Sequence, residues 1–269
     1  MNGLDALAAP DAAPDAPQGH ALARLRQARL NRGSKPYRAR GGSRLPRCPG
    51  CRLPEPYCLC GVALRCETRA GFCLLVAGIE ALKPSNTGWL VADVVADTHA
   101  YAWQRTAADA GLLALLADPQ WQPVLVFPQE LVAPERVIHT VPAPTRPGQR
   151  PLFVLLDGTW SEASKMARKS PYLDALPVLS LQPQAPSAYR LRRAHCASHL
   201  CTAEVAAQCL HLAGEPQVAA LLQAHLALFT ERYLDARNQR PVRHDSVCVQ
   251  QVQDLGAVCA AAPRASDCY

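Results

Sequence analysis

Residues 152–156 are five consecutive apolar residues, and the run ends abruptly in Asp-Gly-Thr-Trp at 157–160. A strand that is apolar along its whole length is typical of a parallel sheet covered by helices on both faces. Ligands of such sheets bind beyond the carboxyl ends of the strands, so we expect Asp157 and Thr159 at a functional site. The competing interpretation is that Asp157 caps the helix that follows and that Trp160 packs in the core.

Short apolar runs alternate with helical segments along residues 72–236. The apolar runs predict strands at 72–77, 124–127, 137–140, 152–156 and 178–181. The helical segments are 106–116, with Thr106 as N-cap, 161–169, 202–212 and 216–236. This alternation predicts an α/β fold with a parallel-rich sheet and flanking helices on both faces.

Length and composition limit the class of protein. The chain has 269 residues, of which 49% are hydrophobic, enough for one α/β core and a small appendage. No segment approaches the ~18 uninterrupted apolar residues of a membrane span. The first 23 residues contain no Lys or Arg, unlike a secretory signal. We therefore expect a cytoplasmic protein with no membrane partner. We also expect a monomer.

The N-terminal region divides into two parts by composition. Residues 1–20 are rich in Ala, Pro and Asp, which predicts a disordered tail. Residues 24–47 carry nine basic and no acidic residues, and because the net charge of the chain is +6, the remainder sums to −3. Such a localised, Arg-rich segment is suited to phosphate contacts and indicates an arm that binds nucleic acid. The alternative is a solvated basic linker.

Four of the twelve cysteines form the pattern C-x2-C-x6-C-x-C, which comprises Cys48, Cys51, Cys58 and Cys60. Four thiolates satisfy a tetrahedral Zn²⁺ and leave no position for water, so we predict a structural zinc module. An iron–sulfur cluster, a redox-sensing cluster and two disulfides are the alternatives. A reducing cytoplasm disfavours stable disulfides.

Several separated motifs occur in one order along the chain. They are the cysteine group, EALKPSNTG at 80–88, DGTWSEASKMARKSPYL at 157–173, SAYRLRR at 187–193 and LCTAEVA at 200–206. Together they resemble the DTW-domain family of tRNA-uridine aminocarboxypropyltransferases, over about residues 44–245. Many members carry a His-Pro-Lys-Glu-like stretch where this chain reads Ala-Gly-Ile-Glu at 77–80, so no histidine role carries over.

The resemblance implies a SPOUT-like, trefoil-knotted catalytic domain at 67–245. Around it we expect a disordered tail and basic arm at 1–43, a cysteine module at 44–66 and a C-terminal tail at 246–269. It also implies that S-adenosylmethionine donates its 3-amino-3-carboxypropyl group to N3 of a tRNA uridine, in the variable loop, and that methylthioadenosine is released. An RNA methyltransferase of the same fold and a non-catalytic, zinc-dependent RNA-binding protein are the alternatives.

This reaction suggests a role for each motif. Asp157 is the candidate base for the N3 proton or the anchor for the substrate's ammonium group. Polar turns and an Arg–Tyr pair suit carboxylate, ribose or base contacts. The predicted catalytic residues are Asp157, Thr159 and Trp160. The predicted cofactor-binding residues are Ser85, Asn86, Thr87, Gly88, Leu156, Gly158, Ser187, Tyr189, Arg190, Thr202 and Glu204.

Two of these assignments have simpler local explanations. Thr202 and Glu204 begin a predicted helix, where they would serve as N-cap and first-turn acid. Earlier in the chain, Lys165 shares one helix face with Arg168 and Lys169, at spacings of three and four. This face is a candidate contact surface for tRNA phosphates.

Overall fold

The computed structural model describes residues 19–33, 37, 45–62, 65–182, 186–191 and 200–261. The strands are β1 (Gly71–Val76), β2 (Thr98–Ala102), β3 (Trp121–Val126), β4 (Val137–Ile138), β5 (Arg150–Asp157) and β6 (Val178–Leu179). The α-helices are α1 (Ala21–Arg32), α2 (Gly88–Val94), α3 (Ala110–Ala117), α4 (Trp160–Arg168), α5 (Thr202–Leu212), α6 (Pro216–Arg237) and α7 (Val247–Ala261). None of the helices in this part of the chain is long and apolar enough to cross a membrane.

The six strands form one sheet in the order β2-β1-β5-β3-β6-β4, and every pairing is parallel. Side chains of β5 alternate between two apolar layers. Phe153 and Leu155 pack in the layer that includes α1, α2, α5, α6 and α7, whereas Leu152 and Val154 pack with α3 and α4. The predicted α/β class is confirmed, and the apolar run is explained because β5 is buried on both faces.

The predicted strands and helices all occur, with ends shifted by a few residues. The largest shift is in α3, which begins at Ala110 and not after Thr106. Asp109 is its N-cap, because its carboxylate accepts hydrogen bonds from the amides of Gly111 and Leu112. Two hydrogen bonds to backbone amides stabilise the helix start at Asp109, so the helix begins there and not at Thr106, three residues earlier.

Four elements are not predicted from the sequence: α1, α2, α7 and β2. Helix α1 overlaps the start of the predicted basic arm. Leu22, just before the arm, is fully buried, and Arg26 donates to the carbonyl of Leu82. Residues 1–18, 34–36 and 38–44, which hold most of the predicted tail and part of the arm, lie outside the described residues. Helix α7 lies inside the predicted C-terminal tail, and its buried side chains include Val249 and Val252.

The carboxylate of Asp93 lies between two imidazoles and so joins helices α1, α2 and α6. In α2, Asp93 Oδ1 lies 3.2 Å from His20 Nε2, and its Oδ2 lies 3.3 Å from Nε2 of His225 in α6. His20 is also the N-cap of α1, since its Nδ1 accepts a hydrogen bond from Ala23 N. Burial opposes the ionisation of Asp93, but the hydrogen bonds with both histidines outweigh it and lower its pKa to about 2.

Candidate active site and metal centre

Three separate segments meet at the carboxyl edge of the sheet. Strands β1 and β5 are neighbours, and their last residues, Val76 and Asp157, are paired. The chain that leaves β1 forms the polar turn at 85–88 and enters α2. The first residue of α5, Thr202, reaches the same edge through a hydrogen bond to Asp157. The fold therefore brings together motifs that lie 71 and 45 residues apart along the chain.

The Asp157 carboxylate is only 2% exposed and joins these segments. Asn86 Nδ2 donates to Asp157 Oδ2 at 2.6 Å, and Thr202 Oγ1 donates to Oδ1 at 2.7 Å. The backbone carbonyl of Asp157 accepts from Ala77 N at 2.9 Å. One side chain thus connects the end of β5 to the turn before α2 and to the start of α5.

Two glycines permit the close packing around this carboxylate. A Cβ atom at Gly88 would lie 2.7 Å from Asp157 Oδ2. A Cβ atom at Gly158 would lie 2.9 Å from the Cβ of Ala77. Both distances are shorter than real Cβ contacts, so the backbone approaches its neighbours in a way that only glycine allows.

Thr159, and not Asp157, caps α4. Glu162 N donates to Thr159 Oγ1 at 3.3 Å, and Thr159 N donates to Glu162 Oε2 at 2.9 Å, which completes a capping box. The interpretation of Asp157 as the helix cap is therefore wrong. Trp160 is the first residue of α4, is half-buried and lines the cavity described below.

Glu204 fastens a loop to the start of α5. Its Oε2 accepts from Ser187 Oγ and from Cys201 N, and its Oε1 accepts from Ala188 N, all at 2.7 Å. The N-cap of α5 is Cys201. The expectation that Thr202 is the N-cap is wrong, because Thr202 is already the first residue of the helix. Its hydroxyl donates to Asp157 at the end of β5.

The neighbouring residues Tyr189 and Arg190 occupy different environments. Tyr189 is buried, and its hydroxyl donates to the Ser85 carbonyl, which attaches the 186–191 segment to the turn at 85–88. Arg190 is exposed and lies outside the cavity lining. Tyr189 and Arg190 therefore do not act as a pair in the cavity, because Tyr189 lines it and Arg190 lies on the surface.

A cavity of about 670 Å³ opens beside these residues, a size typical of sites for small molecules. Eight predicted site residues line it: Thr87, Leu156, Gly158, Thr159, Trp160, Ser187, Tyr189 and Thr202. Asp157 and Asn86 lie behind this lining. Further lining at 126–131 and 180–182, at the ends of β3 and β6 on the same edge, is not predicted from the sequence. A rule that examines every strand end would have identified these segments.

Glu80 is a second buried carboxylate that the sequence analysis does not assign to the site. It is 1% exposed, and Lys83 Nζ lies 2.5 Å from its Oε2. Asn86 Nδ2 lies 3.4 Å from Glu80 Oε1, so one amide group faces both Glu80 and Asp157. The only sequence signal for Glu80 is its place in the family stretch at 77–80.

The four sulfurs of the cysteine cluster lie within 4.8 Å of one another. The Sγ atoms of Cys48 lie 3.5 Å from those of Cys58 and Cys60, and Cys51 Sγ lies 3.7 Å from Cys58 Sγ. A tetrahedron with Zn–S bonds of about 2.3 Å has edges of about 3.8 Å, so the cluster fits a four-coordinate metal. All cysteines among the described residues are free thiols.

The surroundings of the cluster shift the pKa values of Cys51, within it, and of Arg52, the next residue. Hydrogen bonding with Cys60 lowers the pKa of Cys51 to about 5, although burial opposes the shift, and the same contact raises the pKa of Cys60. A lowered pKa favours the thiolate form of Cys51, the form that binds metal. The next residue, Arg52, is buried, which lowers its pKa to about 10, so it remains positively charged.

The family model of the DTW domain matches residues 45–234. No solved structure gives a significant match to the chain. The matched range includes the cysteine cluster, the turn at 85–88, the strand exit at 157–160 and the start of α5. These are the segments that the structure assembles around one cavity and one cluster of four sulfurs. The chain therefore belongs to the DTW-domain family, which includes tRNA-uridine aminocarboxypropyltransferases.

Proposed function

We propose that this protein is a tRNA-uridine aminocarboxypropyltransferase. It would transfer the 3-amino-3-carboxypropyl group of S-adenosylmethionine to N3 of a tRNA uridine in the variable loop, with release of methylthioadenosine. The observation that carries the proposal is the cavity of about 670 Å³, which the DTW segment, the 85–88 turn and the start of α5 form together. Family membership supports the reaction class.

The cavity lining fits S-adenosylmethionine in its chemistry. Apolar groups include Leu156 and Trp160, which suit a nucleoside base and an aliphatic chain. The hydroxyl groups of Thr87, Ser187 and Thr202 supply donors and acceptors for a ribose or an amino acid. Bound here, S-adenosylmethionine supplies an electrophilic carbon attached to a sulfonium.

The reaction defines what the protein has to do. Uracil N3 loses its proton and forms a bond to a carbon whose bond to sulfur breaks, and the electron pair of that bond leaves on sulfur. Sulfur is already a good leaving group in this substrate. The protein therefore has to select one of three carbons on sulfur, align N3 with it and receive the N3 proton.

Asp157 has two candidate roles in this reaction, as base and as anchor for the ammonium group. Its burial and its hydrogen bonds from Asn86 and Thr202 support a role in positioning the amino acid end, through the residues that it holds. Thr202 lines the cavity and donates to Asp157, so it connects the carboxylate to the cavity surface. A direct base would need a carboxylate oxygen on the cavity surface.

Exposed basic residues support a tRNA partner. Lys165, Arg168 and Lys169 are exposed on or just after α4, whose first residue lines the cavity. Arg29 and Arg32 are exposed at the end of α1, which packs beside the segment leading to the 85–88 turn. Such residues contact phosphates without reading sequence, which suits a protein that docks a folded RNA.

The same proposal includes the knotted SPOUT-like topology, with Zn²⁺ as the metal in a cytoplasmic monomer. Its support is the all-parallel sheet, in which β5 lies between β1 and β3, and the spacing of the four sulfurs. Sulfur ligands at these separations suit zinc, and a closed four-sulfur site has a structural role.

Mass spectrometry of nucleosides tests the proposal. Protein is incubated with tRNA and S-adenosylmethionine, and the digested nucleosides and the small-molecule product are identified. We expect 3-(3-amino-3-carboxypropyl)uridine together with methylthioadenosine. A methylated nucleoside together with S-adenosylhomocysteine would identify a methyltransferase instead. Binding of tRNA without any product would favour the RNA-binding protein.

A further inference from the structure

Arg52 directly follows a cysteine of the metal cluster, yet its side chain enters the core of the protein. The residue is 2% exposed. Its backbone has a φ of 66°, in the left-handed region that disfavours residues with a side chain. An arginine in such a position calls for a specific set of contacts that holds it there.

Two aromatic rings hold the Arg52 guanidinium between α2 and α6. Its Cζ lies 4.3 Å from the ring centroid of Trp89 and 5.3 Å from that of Phe229. A planar, weakly hydrated cation stacks on aromatic faces better than an ammonium group does. These rings fix the plane and the depth of the guanidinium.

The guanidinium reaches the backbone of the polar turn at the cavity. Arg52 Nη1 donates to the carbonyls of Pro84 and Asn86, at 3.1 and 3.0 Å. The side chain of the same Asn86 donates to Asp157. A continuous set of contacts therefore runs from the cysteine cluster through Arg52 and Asn86 to the carboxylate behind the cavity.

The cysteine loop fixes the other end of Arg52. Arg52 N donates to the Cys48 carbonyl, and Cys48 N donates to the Leu53 carbonyl, both at 2.9 Å. Arg47 Nη1 donates to the Arg52 carbonyl at 2.9 Å. A metal bound by Cys48 and Cys51 would clamp this turn from both sides, and so would set the direction in which the Arg52 side chain leaves the backbone.

We propose that Arg52 is a positioning residue through which the cysteine module holds the 85–88 turn in the shape that binds the cofactor. Occupancy of the four sulfurs and the shape of the cavity are then coupled, although the cluster does not line the cavity. The part of this inference that concerns S-adenosylmethionine rests on the proposed function. The part that concerns the turn does not.

The variant Arg52→Met tests the inference, because methionine fills the slot between the rings but has no donor. We expect wild-type metal content, faster amide hydrogen exchange at residues 86–90 and about 10- to 100-fold weaker binding of S-adenosylmethionine. Arg136→Met is the matched control, since Arg136 also donates to two backbone carbonyls, those of Leu173 and Leu176, away from the turn. Exchange at 86–90 should not change in this control.

A second experiment removes the metal with a chelator and compares amide exchange in the wild-type protein and in Arg52→Met. In the wild-type protein we expect faster exchange at residues 86–90, and in Arg52→Met little further change, because the contact is already lost. Arg52→Leu replaces Arg52→Met if the latter does not fold. Wild-type exchange at 86–90 in a folded, metal-loaded variant would overturn the inference, as would equal responses to chelation. If the wild-type protein binds no S-adenosylmethionine, the proposed function fails, and the exchange data still decide the role of Arg52.

Discussion

Asn86 and Asp157 share a hydrogen bond of 2.6 Å that joins the turn before α2 to the last residue of β5. The other end of the Asn86 amide, Oδ1, accepts from Trp89 N at 2.9 Å, inside the first turn of α2. Thr87, the formal N-cap, makes no capping hydrogen bond with its side chain. Asn86 thus caps α2 and binds the carboxylate at once, so a change at Asp157 is transmitted to the start of a helix.

The first prediction concerns Asp157→Asn, which keeps the size of the side chain and removes its charge. Because the carboxylate lies behind the cavity lining, we expect binding of S-adenosylmethionine to weaken about 10- to 100-fold, the scale of a hydrogen bond to a charged group. Isothermal titration calorimetry gives the affinity, and single-turnover kinetics give the chemical step. Asp254→Asn, at an exposed position in α7, is the control.

A different outcome would identify Asp157 as the base. In that case turnover would fall about 10²- to 10⁴-fold with unchanged affinity, the scale of general base catalysis. Activity would then recover as pH rises, because hydroxide can deprotonate N3 without a protein base. A purely positional defect would persist at high pH.

The second prediction concerns Gly88→Ala. The added Cβ would lie 2.7 Å from Asp157 Oδ2, so either the turn or the carboxylate has to move. We expect a loss of about 1–3 kcal/mol in the free energy of unfolding, the usual cost of overpacking, with weaker cofactor binding. Gly61→Ala is the matched control, because its Cβ would meet nothing within 4 Å. Equal unfolding midpoints for the two variants would contradict the geometry at Asp157.

The third prediction concerns the metal. Replacement of Cys58 and Cys60 by Ser should remove about one metal ion per chain and lower the thermal stability, because a structural site needs its full set of thiolates. Elemental analysis of protein purified without oxygen checks the content and identifies the metal. Cys248→Ser, in α7 and outside the cluster, should keep the metal. The absence of both zinc and iron from the wild-type protein would refute the metal site.

The fourth prediction concerns the basic end of α1. Because Leu22 is buried, deletion of the whole N-terminal region would damage the core, and charge removal on the exposed side is the better test. Arg29→Gln with Arg32→Gln should weaken tRNA binding and reduce its salt slope by about 0.9 per lost contact to duplex phosphate. Arg237→Gln, exposed at the end of α6, is the control. Unchanged affinity and slope would show that α1 does not contact tRNA.

The fifth prediction concerns pH and Asp93. Its pKa in the folded protein is lowered from 3.8 to about 2, so ionised Asp93 stabilises the fold above 3.8, and this contribution is lost as the pH falls toward 2. The difference in unfolding free energy between wild-type and Asp93→Asn should therefore shrink over this window. Urea denaturation at several pH values measures it. A difference that stays constant as the pH falls from 3.8 to about 2 would contradict this role of the Asp93 carboxylate.

Strand β5 was predictable because it is buried on both faces. Such a strand has a continuous apolar run that is visible in the local sequence. Helix α2 was not, since six of its seven residues are buried and an almost uniformly buried helix has no amphipathic period. Helices α1 and α7 fall in segments whose composition resembles a tail. Their helical state depends on tertiary packing, which a local pattern does not record.

The residues of the site were predictable from motif resemblance, but their contacts were not. Nothing in local spacing indicates that the side chains of Asn86 and Thr202 both donate hydrogen bonds to the Asp157 carboxylate. Arg52 and Glu80 are charged residues, and the usual expectation for charged residues is exposure to solvent. Their burial follows from rings, carbonyls and amides supplied by distant segments, so it is evident only in three dimensions.

Two side-chain partners of Asp157 lie on opposite sides of it in the chain and so are synthesised at different times. Its partner Asn86 is already made when Asp157 leaves the ribosome, but Thr202 follows 45 residues later. A nascent chain that ends before α5 therefore lacks one wall of the cavity and one donor to the carboxylate. A chain that ends before α5 also lacks the side chains that α5, α6 and α7 contribute to the apolar layer around Phe153 and Leu155, so the same C-terminal segments complete both the cavity and the core.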